Sequence, residues 1–123
     1  MSYPAFSELN GTPNVAVEFV KDSQAVDTDW LPSNVTVRSP KYGRVRHRIS
    51  VWLKTANSVV KLMIKSPATL AGEAMTLNGG TAITAGRVYS EDVYLPTGWS
   101  YNIQHPTTAQ KVACWIVPYI DNP

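Results

Sequence analysis

The sequence predicts an all-β fold, an antiparallel β-sandwich of eight or nine strands. Val, Thr and Ile make up 31 of the 123 residues and cluster in runs that alternate apolar with polar side chains, the period of a half-buried strand. Nine prolines divide the chain into short pieces that leave little room for long helices. Eight or nine such runs, separated by turns every 8 to 12 residues or so, are typical of two packed antiparallel sheets.

The length of 123 residues predicts one domain. We expect residues 14–123 to form this single β-sandwich domain. Residues 1–13 differ from the rest because prolines and an Asn-Gly pair surround a few apolar side chains. This segment is interpreted as an extended N-terminal arm with Tyr3, Phe6 and Leu9 as apolar anchors.

The alternation assigns a facing to several strands. In the run from residue 44 to 54, the core-facing set is Val45, His47, Ile49, Val51 and Leu53. In the next run, Val60, Leu62 and Ile64 face the core, whereas Lys61, Met63 and Lys65 face away. The short link at residues 55–57 predicts a hairpin that pairs these two strands.

Two further features constrain the second half of the chain. Asn78, Gly79 and Gly80 predict a tight turn, since asparagine and glycine tolerate positive φ. The final run, residues 111–120, is apolar on both faces. Such a strand is either central in a sandwich or covered on one face by another subunit.

Charge is distributed unevenly along the chain. Eight of its eleven cations lie between residues 30 and 72, where there is no acid, and the segments on either side are acidic. Alternation gives one face of the central run a row of cations and one tryptophan, formed by Arg44, Arg46, Arg48, Trp52 and Lys54. If the hairpin forms, Lys61 and Lys65 join this face.

Like charges opposite one another destabilise a sheet, so this basic row needs compensating anions. Phosphates of a nucleic acid, acids of the same chain and acids of another subunit are three candidates. Trp52 within a basic strand resembles a stacking platform for bases. The near-balance of charges over the whole chain, net +2, argues against nucleic acid as the partner.

The sequence predicts no enzyme, no cofactor and no metal site. It has no Gly-x-Ser-x-Gly elbow, no phosphate loop and no His-Glu-x-x-His motif. His47 has the parity of the core residues, His105 is expected in a loop, and Cys114 is interpreted as an inert buried thiol. Glu91 and Asp92 are adjacent and so face opposite ways in a strand.

Neither a membrane span nor a secretion signal is recognised, because there is no apolar run of about 18 residues and no apolar segment after a basic start. Carbohydrate binding stays an alternative, since four Trp and six Tyr could supply stacking surfaces. Several of these aromatic residues have strand parity and are equally compatible with a core. Trp30 is the aromatic residue that the pattern explains least.

The segment "LNGGTAITAGRVYSEDVYLPTGWSYNIQ" with the closing strand "KVACWIVPYI" resembles the second half of small jelly-roll accessory proteins of tailed-phage virions. The resemblance is carried by the Asn-Gly turn at 78 and 79, the Ala-Gly pair at 85 and 86, the turn at 96–98 and Asn102. It covers about 45 of the 123 residues and does not include the basic run.

The resemblance implies a jelly-roll-like sandwich and a structural virion protein of the capsid decoration or cement type. It implies a homotrimer that binds the major capsid protein or other virion proteins, made in the bacterial host cytoplasm and located in the virion. We expect the partner interface to use Arg44, Arg46, Arg48, Trp52 and Lys54 with Tyr3, Phe6 and Leu9 of the arm. A carbohydrate- or receptor-binding knob, or a neck or fibre adaptor of a phage tail, is the alternative, and a nucleic-acid-binding β-domain is a third.

Overall fold

A computed structural model of the chain describes residues 2–4, 16–37, 44–67 and 73–121, which form nine antiparallel strands and one short 3-10 turn. The strands are β1 (Ser2–Pro4), β2 (Val17–Gln24), β3 (Val35–Thr36), β4 (Arg44–Leu53), β5 (Lys61–Lys65), β6 (Glu73–Thr76), β7 (Tyr89–Val93), β8 (Ser100–Gln104) and β9 (Gln110–Asp121).

The strands form two sheets. The larger sheet has the order β2-β9-β4-β7, and the smaller sheet has the order β3-β8-β5-β6. Strands β1 and β2 pair with the same edge of β9, β1 with its last residues and β2 with the residues before them. The chain crosses repeatedly between the sheets, and this order of eight strands is that of a jelly roll. The predicted all-β antiparallel sandwich is therefore confirmed.

The core lies between the two sheets, and alternation decides which side chains enter it. In β4, Val45, Ile49, Val51 and Leu53 are buried together with His47, as predicted. In and just before β5, Val60, Leu62 and Ile64 are buried, also as predicted. Strand β9 adds Val112, Cys114 and Ile116 from the centre of the larger sheet.

The predicted hairpin between β4 and β5 is wrong. Strand β4 pairs with β7 and β9, and β5 pairs with β6 and β8 in the other sheet. After Leu53 the chain turns a corner, where the Gly86 N–H donates to the Leu53 carbonyl oxygen at 2.7 Å and Ser58 forms a β-bridge with Ile83. Lys61 and Lys65 therefore lie on the smaller sheet and do not join the basic row of β4.

The turn at Leu77–Gly80 has the backbone that the sequence predicts. Asn78 has φ 55° and Gly79 has φ 61°, in the left-handed region that these residue types tolerate. The turn leads from the smaller sheet to the larger one, and Glu91 of β7 accepts a hydrogen bond from the Asn78 N–H at 2.9 Å.

The loop between β2 and β3 runs along the edge of β8 and buries its aromatic residue. The Trp30 N–H donates to the Ile103 carbonyl oxygen at 2.8 Å, and the indole Nε1–H donates to His105 Nδ1 at 2.9 Å. Asn102 of β8 accepts from the Leu31 N–H and donates to the Leu31 carbonyl oxygen, both at 3.0 Å. Its side-chain amide thus pairs with Leu31 as a strand backbone would.

The first residues of the predicted N-terminal arm are strand β1, in which Tyr3 is opposite Ile120 of β9. Phe6 and Leu9 lie outside the described residues. Their role as anchors stays a prediction.

Candidate functional site on the larger sheet

The surface of the larger sheet that points away from the core is the candidate site, and we name it the outer face. Its central columns come from β9 and β4, whose register pairs Tyr119 with Arg46, Val117 with Arg48, Trp115 with Ser50 and Ala113 with Trp52. Strand β7 adds Ser90 opposite Ser50 and Asp92 opposite Arg48, while β2 adds Glu18 opposite Trp115 and Val20 opposite Ala113.

The outer face is apolar along β9. Trp115, Val117 and Tyr119 are half-buried, and Ala113 is buried between its cross-strand neighbours Val20 and Trp52. This explains why the last run of the sequence is apolar on both faces. Of the two predicted explanations, the central position of β9 is confirmed. Half-exposed aromatic side chains nevertheless stay on its outer side.

Exposed apolar side chains extend this surface to both edges of the sheet. Val20 on β2 is 59% exposed, and Val88 and Tyr94, which flank β7 with the parity of Ser90 and Asp92, are 60% and 50% exposed. Large apolar side chains exposed across one sheet face are more typical of protein interaction surfaces than of solvated ones. The outer face therefore has the composition of an interface.

A charged cluster of Arg46, Arg48 and Asp92 lies on the same face. Arg48 Nε donates to Asp92 Oδ1 at 2.8 Å and its Nη2 donates to Oδ2 at 3.2 Å, a bidentate arrangement. Arg46 Nη1 donates to the same Oδ2 at 3.1 Å, and its guanidinium lies 4.7 Å from the ring centroid of Tyr119. The bond from Arg48, aided by both positive charges, holds the pKa of Asp92 below its ordinary value.

The structure brings together three of the predicted interface residues, Arg46, Arg48 and Trp52. Arg44 begins β4 opposite Asp121, with the same parity as Arg46. Lys54 follows the end of β4, where its side chain is exposed and its N–H donates to the Lys111 carbonyl oxygen at 3.1 Å. The anion that compensates Arg46 and Arg48 is an acid of the same chain, one of the three candidates that the sequence left open.

Sequence reasoning missed the importance of Asp92, because the aspartate lies 44 residues after Arg48 and only the β4–β7 register joins them. The signal that could have found it is the parity argument for Glu91 and Asp92. As that argument predicts, the two carboxylates point to opposite sides: Glu91 accepts from Tyr89 Oη at 2.6 Å, away from the arginines. This bond raises the pKa of Tyr89 to about 12.

The histidines and the cysteine lie in the interior. His47 is buried with Nδ1 2.7 Å from Tyr101 Oη, and desolvation lowers its pKa to about 4. Cys114 is fully buried, and burial raises the pKa of its thiol to about 12, as expected for an inert side chain. His105 follows β8 in the predicted loop and is fully buried, where its Nε2–H donates to the Thr108 carbonyl oxygen at 3.0 Å.

A second surface feature lies on the smaller sheet. An open hollow of about 200 Å³ is lined by Asp29, Asn34, Met63, Lys65, Asn102 and Gln104. Asn102 donates to Asn34 Oδ1 at 3.0 Å, and Gln104 donates to Asp29 Oδ1 at 2.8 Å. The polar groups of this hollow are thus held in place by hydrogen bonds among themselves.

Within the part of the chain that the structure describes, no His, Cys, Asp and Glu side chains gather in threes to hold a metal ion. The described residues also contain no helix long and apolar enough to span a membrane.

No protein-family model and no curated protein matches this chain. Among solved structures, the chain is similar to a protein of Bacillus endospore appendages, which form a novel family of disulfide-linked pili. The identity is 14% over 93% of this chain and 98% of that chain, with a TM-score of 0.45.

Proposed function

We propose that this protein is a non-catalytic structural subunit of a virion, of the capsid decoration or cement type, that joins neighbouring subunits through the outer face. The single observation that carries the proposal is the composition of this face, where Trp52, Trp115 and Val117 are only partly buried and lie beside a charged cluster. A solvated sheet face would alternate to polar residues at these positions. Aromatic residues and arginine are the residue types that interfaces enrich.

The arginines contribute to such an interface through shape and hydrogen bonding more than through net charge. Asp92 already neutralises one of two positive charges, and Arg46 is largely covered, with 10% of its side chain exposed. Arg48 keeps half of its side chain exposed and can donate to a partner. The partner surface that fits is therefore apolar, with hydrogen-bond acceptors.

The same geometry weighs against nucleic acid. A phosphate-binding surface needs several unneutralised cations along one groove. On the outer face Arg46 and Arg48 share one carboxylate, and Lys61 and Lys65 lie on the other sheet. The basic row that the sequence indicates is thus divided between two surfaces.

The proposal includes a homo-oligomer, with a trimer as the expected state, that binds the major capsid protein or other virion proteins. The N-terminal segment that contains Tyr3, Phe6 and Leu9 is the second contact in this proposal.

The test is incorporation into particles. Cells that produce the particle with the unaltered protein should yield it in the particle fraction of a density gradient. Trp52→Ser should lower its share there at least about tenfold, because an anchor aromatic residue of an interface contributes 2 kcal/mol or so. Lys65→Glu, on the smaller sheet, is the control and should incorporate normally. The proposal would be contradicted if the unaltered protein were found only as free protein and not in the particle fraction.

A second candidate is a carbohydrate-binding knob or adaptor, and the polar hollow on the smaller sheet favours it. Its amide and carboxylate groups are the kind that bind sugar hydroxyls. Titration with host surface polysaccharide should then give a binding isotherm that Gln104→Ala weakens and Val88→Ser, on the outer face, does not. Absence of binding across a glycan panel would dismiss this candidate.

A further inference from the structure

The described residues contain four exposed large apolar side chains, and strand parity assigns three of them to the outer face. Val20, Val88 and Tyr94 belong to this face, whereas Val26 lies in the loop after β2. The outer face is thus the described surface on which apolar exposure is concentrated. The order of the side chains along its strands indicates which partner could cover this face.

The outer face is self-complementary about its middle. The level of Ile49 on β4 and Ile116 on β9 divides the face into two halves. A two-fold axis that crosses the strands at this level would lay a second copy on the face with its strands antiparallel. Each side chain of the face would then meet the side chain of the second copy that lies equally far on the other side of this level. The two partners belong to the same strand and are two or six positions apart in the sequence.

Large side chains then meet small or apolar ones. On β9, Tyr119 would face Ala113 of the second copy, and Val117 would face Trp115. On β7, Tyr94 would face Val88. These contacts follow from the strand register. Packed sheets cross at an angle of about 30°, so the contacts are closest in the central strands β9 and β4 and loosen towards the edges.

The charges of the face are compatible with this arrangement. On β4, Arg46 would face the ring of Trp52, a cation–π partner, and Arg48 would face Ser50. On β7, Asp92 would face Ser90. No two like charges among the described side chains within these three strands oppose each other. The register brings one pair of cationic positions opposite each other, 44 and 54, at the two ends of β4 and away from the centre of the contact.

The size of the face suffices for a dimer. The strands β2, β9, β4 and β7 have 8, 12, 10 and 5 residues. Together with Val88 and Tyr94, at about 3.4 Å per residue and about 4.8 Å between strands, they cover about 600 Å² of sheet surface, so two copies would bury about 1,200 Å². This is the lower end of the range for stable protein interfaces.

We propose that the outer face binds a second copy of this chain, face to face, in an isologous two-fold dimer. The inference rests on the proposed function in that both use the outer face for assembly, and it names the partner. In this dimer the neighbouring subunit on the outer face is the second copy, and other virion proteins would bind through other surfaces. The chain would then assemble as a dimer, or as three such dimers, in place of the trimer of single chains given above.

The first experiment measures mass by sedimentation velocity, with the purified full chain from about 1 µM to about 1 mM. The unaltered protein should approach twice the 13.5-kDa mass of one chain as concentration rises. Val117→Asp should raise the dissociation constant at least about tenfold. The new carboxylate would face Trp115 of the second copy, while in the isolated chain it lies beside Arg48, which favours folding. Val26→Asp, an exposed valine in the loop, is the matched control and should associate like the unaltered protein.

The second experiment tests the geometry with spin labels, and buried Cys114 does not compete for the label. Ser90→Cys should place the two labelled Cα atoms about 12 Å apart in the dimer, from a separation of about 10 Å between sheets and two residues along the strand. Lys65→Cys, on the smaller sheet, should place them about 30 Å apart or more.

A chain that stays monomeric at all concentrations overturns the inference. So does a Val117→Asp variant that associates as well as Val26→Asp, or a label distance that is shorter at position 65 than at position 90. A monomer that incorporates into particles leaves the proposed function intact and removes only the dimer. A protein that dimerises but enters no particle keeps the dimer and contradicts the proposed function.

Discussion

The Nδ1 atom of His47 lies 2.7 Å from the phenolic oxygen of Tyr101, and this contact joins the larger sheet to the smaller one through the core. Both side chains are buried, and their rings meet edge to face with centroids 5.7 Å apart. Among the described residues, His47 Nε2 is a buried atom without a hydrogen-bond partner. Its protonation would put a charge inside the sandwich.

We predict from this contact that the protein loses stability between pH 6.5 and 4. The pKa of His47 is about 4 in the folded chain and near its ordinary value of 6.5 when unfolded, so the unfolded chain binds the proton first. The free energy of unfolding is therefore highest above pH 6.5 and falls by about 3 kcal/mol as the pH drops to 4. Urea unfolding at several pH values measures it.

The control for this prediction is His47→Gln, which does not titrate and keeps a hydrogen-bonding group for Tyr101. It should be less stable than the unaltered protein at pH 7 and should lose most of the dependence on pH. Asp92 does not confuse the comparison, because the bond from Arg48 holds its pKa below the ordinary value and its contribution at the acidic end is the same with and without the substitution. An unchanged slope in the variant would show that another group causes the loss.

The two arginines of the outer face should differ in their effect on stability. Arg46→Ala removes a mostly covered stem, the stacking on Tyr119 and the bond to Asp92, and should cost about 2 kcal/mol. Arg48→Ala removes a half-exposed side chain and should shift the urea midpoint much less. Equal midpoint shifts for the two variants would contradict this assignment of burial.

Replacing Asn102 by Asp should detach the loop after β2. The change keeps the acceptor for the Leu31 N–H but turns the donor into an oxygen that faces the Leu31 carbonyl and Asn34 Oδ1. We expect a loss of about 2 kcal/mol or more at pH 7 and faster hydrogen exchange of the Leu31 amide. Gln104→Ala removes an exposed bond to Asp29 and is the control, with little change in either quantity.

Trp30→Phe should destabilise the protein although it keeps an aromatic ring. The variant deletes the Nε1–H and leaves Nδ1 of buried His105 without its donor, which costs about 1 to 3 kcal/mol. Trp99→Phe, where the ring is only partly buried against the core, should cost less. A thermal melt of both variants decides the order, and the reverse order would refute the role of this hydrogen bond.

Alternation could be derived from the sequence because it is a local property. The parity of β4 separates His47 from Arg46 and Arg48 within three residues, and the structure has the same separation. The strand partners could not be derived in this way. Strands β4 and β5 both show a correct core parity, and the short link between them fits a hairpin and a corner equally well.

Buried polar side chains were the other part that the sequence did not predict. Gln110 accepts hydrogen bonds from the Thr55 and Ala56 N–H groups at 2.8 and 2.9 Å and so fixes the corner after β4. Asn102 has the parity of an outward residue, and it is buried only because a loop from far along the chain covers it. Neither role has a local signal, since each depends on a segment more than 50 residues away.

The central place of β9 sets the order in which this chain can fold. Strands β2 and β4 both pair with β9, so Val17 and Ile49 both have Ile116 as their strand partner and cannot pair until it has been synthesised. During synthesis the larger sheet cannot close until β9 has left the ribosome, and until then β2 and β4 have unpaired edges. Such non-local pairing makes folding slow, on the order of milliseconds to seconds. The nascent chain is therefore most exposed to aggregation just before its final described strand is complete.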